Sequence, residues 1–141
     1  MSSPPGDPLT LCSELYDALG RGDVPRLEVL LDPAFRASLT PGLPWGLGEK
    51  PVEGAEVMIR EGWGVVARHL DVRAVPEQSW VVDDGEVVVV QGVYRGTARR
   101  TGHPIEARFV HIWKVQGSRF AELIQVTDTA AWWNAIGHDR R

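Results

Sequence analysis

The sequence predicts an α+β fold in which helices come first and an antiparallel sheet follows. Three observations carry this. Apolar residues recur at helical spacing as far as residue 70. From residue 71 the texture changes to β-branched and aromatic residues interrupted by turn chemistry. The chain has 141 residues, 43% hydrophobic and 24% charged, an ordinary globular composition. That length buries roughly two thirds of the unfolded surface without help from disulfides or metal. One domain over residues 1 to 141 is the natural count, with an ordered core from about 9 to 136. Helices followed by strands is the order in which helices pack on one sheet face.

The first helix opens at Asp7-Pro8, a capping residue followed by proline where a first-turn N–H has no partner anyway, and carries Cys12, Leu15, Tyr16 and Leu19 on one face. It is expected to stop near Gly20 or Gly22. Asp23 caps a second short helix with Pro25 in its first turn and Leu27, Leu30 and Leu31 on one face, ended by Asp32-Pro33. Residues 40 to 48 hold too much Pro and Gly for a regular element, yet include Leu43, Trp45 and Leu47, the pattern of a loop that closes over something. Ala55, Ile59, Trp63, Val66 and Leu70 predict a third helix over residues 53 to 70, weakened by Gly62 and Gly64. Turns at Asp83-Asp84-Gly85, at residues 101 to 104 and at Gly117-Ser118 divide the rest into a four-stranded meander. Residues 129 to 136 form a closing helix, and 138 to 141 read as a frayed end.

Net charge is −4, and no basic run is long enough to follow a phosphate backbone, so nucleic acid is not an expected partner. No stretch approaches the roughly 18 apolar residues of a membrane span. The polar start, Met1-Ser2-Ser3-Pro4-Pro5, is unlike a signal peptide, and a cytoplasmic protein is expected. Cys12 stands alone, so neither a disulfide nor a metal site is expected. The run Val87-Val88-Val89-Val90 breaks the alternation of a half-solvated strand. A second copy of the chain, sheet against sheet, would cover its outer face.

Hairpin arithmetic assigns faces. A two-residue turn at Gly117-Ser118 sets His111 opposite Ile124 and Trp113 opposite Glu122. A turn centred on Gly102-His103 sets Tyr94 opposite His111. Opposed residues share a face and side chains alternate along each strand, so Tyr94, Phe109, His111, Trp113, Glu122, Ile124, Val126 and Asp128 form the expected inner wall. Arg108, Val110, Ile112, Lys114, Leu123, Gln125 and Thr127 take the other face. Desolvation there would raise the pKa of Asp128, as a general acid or base near neutral pH requires, and His111 is the other group able to move a proton at that pH.

Leu15-Tyr16-Asp17-Ala18-Leu19 with Gly22-Asp23, then Gly92-Val93-Tyr94-Arg95-Gly96-Thr97, Phe109-Val110-His111-Ile112-Trp113 and Asp128-Thr129-Ala130 resemble the SnoaL-like branch of the nuclear transport factor 2-like superfamily. The resemblance implies a cone-shaped, curved antiparallel sheet, the four-stranded meander plus a short strand, packed on three N-terminal helices around a pocket, commonly as a homodimer through the sheet face. The superfamily is known for isomerases, dehydratases, polyketide cyclases, epoxide hydrolases and proteins without catalysis. In ketosteroid isomerases, which this chain is similar to in layout, the proton-donating aspartate falls about where His111 stands, but the base falls at Ser38, Leu39 or Thr40 and the helix-one tyrosine at Leu15, one place before Tyr16. Limonene epoxide hydrolases match at Asp128, but their Arg-x-Asp pair has no counterpart near residues 91 to 94. SnoaL-type polyketide cyclases, with a late aspartate and a nearby histidine, resemble the chain most, through Asp128 and His111.

The resemblance therefore implies a cofactor-independent acid–base enzyme of isomerase, cyclase or dehydratase type acting on a hydrophobic carbonyl compound. Asp128 and His111 are its catalytic candidates, and Tyr94, Tyr16, Trp113, Phe109, Trp63 and Trp45 its substrate-binding candidates. An epoxide hydrolase is one alternative. In a non-catalytic ligand-binding or dimerising domain, the other alternative, Asp128 would cap the last helix, His111 would be a core histidine satisfied by Tyr94, and the tryptophans would fill the core.

Overall fold

A computed structural model describes residues 7 to 137. The expectations for residues 1 to 5 and 138 to 141 lie outside them. The chain runs α1 (Pro8–Arg21), α2 (Val24–Leu30), β1 (Leu31–Ser38), β2 (Val52–Glu53), α3 (Ala55–Val57), α4 (Gly64–His69), β3 (Leu70–Val82), β4 (Val87–Ala98), β5 (Pro104–Gln116), β6 (Arg119–Thr127) and α5 (Thr129–Ile136). The strands form one curved, unclosed sheet in the order β2-β1-β6-β5-β4-β3. The meander β3 to β6 is as expected, but the sheet has six strands, because β1 joins β6 in parallel and carries β2 on its far edge.

Local chemistry explains most boundaries. Asp23 accepts a hydrogen bond from the Arg26 N–H and starts α2, while Gly22, left-handed at φ 66°, ends α1. The second helix stops at Leu30, earlier than Asp32-Pro33 suggests, and passes straight into β1. Pro33 has no N–H for the ladder, and pairing with β6 lapses between Leu31 and Arg36 around it. The third helix runs without interruption as expected, but Met58–Trp63, between α3 and α4, widens to a π-helical stretch. Gly62 fits there because a Cβ would lie 2.8 Å from Met58 Sδ. No helix among the described residues is long and apolar enough to cross a membrane.

The core lies between the helices and the concave sheet face, with Leu15, Phe35, Leu30, Trp113, Phe120 and Trp132 fully enclosed. Two expected registers change. Between β4 and β5 His111 faces Val90, and Tyr94 faces Ala107, because the connecting loop is longer than a two-residue turn. This shift is even, so Tyr94 stays on the His111 face. Between β5 and β6 the Gly117-Ser118 turn forms and Gln116 pairs with Arg119, but a bulge at Lys114/Val115 then slips the ladder by one. His111 therefore faces Gln125, and the inner wall of β6 is Phe120, Leu123, Gln125 and Thr127. The expected wall residues Glu122, Ile124, Val126 and Asp128 lie outside it: Glu122 pairs with Lys114, Ile124 and Val126 are exposed, and so is Asp128.

Candidate functional site

Alternation along β5 sends Phe109, His111 and Trp113 to the concave face, where all three are buried. The Phe109 ring stacks on the imidazole at 4.0 Å. Gly92 makes room for it: a Cβ there would meet the Val75 carbonyl oxygen and stand 2.7 Å from Phe109 Cζ. Tyr94 leans back over Phe109, with ring centres 4.6 Å apart, and its hydroxyl reaches His111 Nε2 at 2.6 Å. From α1, Tyr16 lies nearly parallel to the imidazole, with ring centres 5.8 Å apart, and places its hydroxyl 2.7 Å from His111 Nδ1. Trp113 Nε1 donates to the Tyr16 oxygen at 3.0 Å, and Gln125 Nε2 donates to the Tyr94 oxygen at 2.9 Å. The Thr40 N–H donates to Gln125 Oε1 at 3.3 Å, which fixes the amide with its NH₂ toward Tyr94.

Counting protons gives this chain a direction. Burial lowers the His111 pKa from 6.5 to about 3, so the ring is neutral and carries one N–H and one lone pair. It therefore accepts from one tyrosine and donates to the other. Tyr16 is enclosed and does not line the adjoining cavity, so leaving its O–H unpaired would cost about 1–3 kcal/mol. Tyr94 does line the cavity. The arrangement with no stranded donor has Trp113 N–H to Tyr16, Tyr16 O–H to Nδ1, and Nε2–H to Tyr94 Oη. The Tyr94 O–H is then the free end. Burial pushes both phenol pKa values up, outweighing the hydrogen bonds from Trp113 and Gln125 that oppose it.

The cavity measures about 300 Å³. Leu19, Met58, Trp63, Leu123 and Trp132 supply apolar wall, and Tyr94, His111 and Gln125 supply polar groups at its inner end. Arg21, Asp71 and Arg99, all exposed, mark its mouth. The loop expected to close over something contributes Leu43 and Leu47 to the lining. Trp133 Nε1 donates to the Gly42 carbonyl at 2.7 Å and ties that loop to α5. Among the described residues no three His, Cys, Asp or Glu side chains gather as a metal site.

Of the residues singled out from sequence, His111, Tyr94, Trp113 and Trp63 line the cavity. Tyr16 and Phe109 stand behind its wall, bonded to or stacked on His111. Trp45 turns away: at φ 60° it stacks on His69 at 4.4 Å and lines a neighbouring cleft. Asp128 is not part of the cavity; it precedes α5 without a side-chain bond to the helix. Gln125, Thr40, Leu123 and Trp132 were not expected. The signal that would have found two of them is the spacing of Phe120 and Leu123, apolar residues three apart, which a regular strand cannot place on one face.

The fold has close solved counterparts. A nuclear transport factor 2-like protein of unknown function from Burkholderia pseudomallei superposes with a TM-score of 0.80 at 29% identity, covering 97% of this chain and 99% of that one. A candidate SnoaL-like polyketide cyclase from a Jannaschia species gives 0.79 at 20% identity, covering 99% of each chain. IdmH, a candidate polyketide cyclase from Streptomyces antibioticus, gives 0.76 at 23% identity over 92% of this chain and 98% of that one. At those identities the last two are similar in fold alone. A search of curated proteins finds no match. The SnoaL-like domain family matches residues 13–123, most of the chain and all of the strands that build the cavity wall down to Leu123. The chain thus belongs to the SnoaL-like domain family, within the nuclear transport factor 2-like fold.

Proposed function

We propose that the protein binds a hydrophobic carbonyl compound in this cavity and acts on it without a cofactor, through neutral hydrogen-bond donation rather than through a carboxylate. The observation that carries this reading is the hydrogen-bonded chain from Trp113 through Tyr16 and His111 to Tyr94, ending in an O–H that faces a mostly apolar cavity. A carbonyl oxygen placed against Tyr94 receives that O–H. As negative charge grows on it in an enol step, with water entering through the cavity mouth taking the α-proton, each donor behind Tyr94 strengthens the next. His111 supports the phenol oxygen through Nε2–H. Asp128, exposed and outside the cavity, has no part in the step.

A second reading, ligand binding without turnover, is favoured by one observation. Neither Tyr94, pushed above its ordinary pKa, nor His111, pushed down to about 3, exchanges a proton readily at neutral pH. Titration of 2-acetonaphthone into wild type and Tyr94→Phe, followed by tryptophan quenching, tests what the readings share. Loss of roughly ten-fold in affinity on removing the O–H is expected. Equal affinities would sink the donor role of Tyr94. Exchange of the ketone's methyl protons into deuterated water, faster with wild type than with Tyr94→Phe, separates catalysis from binding.

We also propose that the partner is a second copy. Trp80, Val89, Ile112 and Ile124 lie side by side across four strands on the convex face, next to Val110 and Val126. The ion pairs Lys114–Glu122 and Arg108–Glu77 sit on the same face and give it both signs of charge. An apolar row with mixed charge beside it suits a self-complementary contact.

A further inference from the structure

Arg99 stands where two concavities meet. It lines the mouth of the cavity and also an adjoining cleft of about 340 Å³ walled by Trp45, Arg68, His69, Arg100 and Thr101. The chain carries a net charge of −4, and Arg21, Arg26, Arg36, Arg60, Arg95, Arg108 and Lys114 each lie within ion-pair distance of a carboxylate. Arg68, Arg99 and Arg100 make no ion pair among the described residues, although they share one cleft. Asp71, the one carboxylate lining the mouth, pairs with none of them.

Arg99 is also held in place. Its Nε donates to the Ala67 carbonyl and its backbone N–H to the His69 carbonyl, each at 2.9 Å, which anchors it on the last turn of α4. The terminal Nη groups have no partner among the described residues. An arginine fixed through Nε, with its outer edge free, offers two parallel N–H donors, the geometry that takes a carboxylate bidentately.

We propose that Arg99, backed by Arg68 and Arg100, is an anion subsite at the cavity mouth, so that the ligand is a hydrophobic carbonyl compound with a carboxylate at its solvent end. This rests on the reading that the cavity takes a carbonyl compound. Tyr94 binds the carbonyl at the inner end and Arg99 holds the charged end, which fixes the direction in which the ligand enters.

The test compares two probes on the full chain by calorimetry: 2-acetonaphthone, which has the ketone alone, and 4-(2-naphthyl)-4-oxobutanoate, which adds a flexible carboxylate. Wild type is expected to bind the keto acid about ten-fold more tightly at low salt, the margin shrinking as sodium chloride screens it. Arg99→Gln is expected to remove that margin while leaving ketone affinity within two-fold, and the unchanged ketone affinity shows that the variant is folded. Arg68→Gln with Arg100→Gln, neither of which anchors α4, is expected to reduce the margin about three-fold. A keto acid that binds no better than the ketone, or an Arg99→Gln that weakens both probes equally, overturns the subsite while the cavity reading stands. Failure of both probes to bind, or binding unaffected by the cavity-filling Ala74→Trp, overturns the cavity reading and the subsite together.

Discussion

Along β5, His111 and Trp113 point into the concave face while Val110 and Ile112, their neighbours in sequence, point out of the convex one. On the concave side the polar atoms are bonded: His111 has a partner at each nitrogen, and no buried side-chain N or O among the described residues lacks one. On the convex side the side chains are as apolar but uncovered, with Val126 54% and Trp80 44% exposed. Burying polar groups in the concave face was offset by supplying each with a partner, and rigidity follows. The convex face has apolar area and no cover from the described residues, which is the condition for recruiting one from outside. One sheet thus holds a face of bonded polar groups and a face of uncovered apolar ones, separated by the alternation of its strands.

The sharpest break in that comparison comes from truncating each face in turn. Trp113→Ala is expected to cost about 3–5 kcal/mol, because it opens a large hole and removes the N–H that the Tyr16 oxygen accepts. Ile124→Ala, on the convex face, is expected to cost under about 1 kcal/mol in monomer at low protein concentration. Urea denaturation at micromolar protein measures both. Similar losses would mean that the convex face is packed within the monomer.

Assembly is the next largest effect. Ile124→Glu with Val126→Glu is expected to lower the dimerisation constant by a hundred-fold or more, since it buries like charges against a symmetric copy of themselves. Sedimentation of wild type and variant across a concentration series reads it, with far-ultraviolet circular dichroism unchanged. A wild type that sediments as a monomer at 100 μM rejects the convex face as a self-contact.

The concave face answers to pH through His111. His111 titrates near 6.5 in the unfolded chain and near 3 in the folded one, because burial penalises the imidazolium. Between those values the unfolded state binds a proton that the folded state refuses. Its contribution is therefore fully present above pH 6.5 and falls with decreasing pH by about 1.4 kcal/mol per unit. The window from pH 6.5 to 5 lies above the range of ordinary carboxylates, and the other three histidines are common to wild type and variant. His111→Gln should flatten the slope there, and a slope that survives the substitution assigns it to another group.

These contrasts also mark how far residues alone disclosed the molecule. The helix starts at Asp7-Pro8 and Asp23, the three turns and the closing helix are local chemistry, and each was legible because the cause lies within a few residues of the effect. The β5 half of the site was legible too, because alternation fixes Phe109, His111 and Trp113 once one of them is placed. What escaped depends on long-range pairing. Leu31–Ser38 reads as a helix end and a loop because its strand partner, β6, lies some ninety residues away. Tyr16 reads as a substrate-binding residue because nothing near it in sequence reveals the indole and imidazole that claim its hydroxyl. The bulge at Lys114/Val115 moved every side chain of β6 beyond it to the opposite face, exchanging Gln125 for Ile124 and removing Asp128 from the wall.

Asp128 gives the smallest expected effect and the most informative null. It stands at the junction of β6 and α5, exposed, with its carboxylate making no bond to the helix N–H groups, and the cavity lining does not include it. What it offers α5 is its charge near the positive end of the helix dipole, worth a few tenths of a kcal/mol at an exposed site. Asp128→Ala is therefore expected to change stability by about 0.5 kcal/mol or less and to leave ketone affinity and exchange rate unaltered. Tyr94→Phe in the same assays sets the scale, because it removes the one hydroxyl whose proton the chain leaves free. If instead Asp128→Ala abolished exchange while ketone affinity held, the proton acceptor would lie outside the cavity as it stands. The loop from residue 40 to 48, tied to α5 through Trp133 and Gly42, would then have to open to admit it.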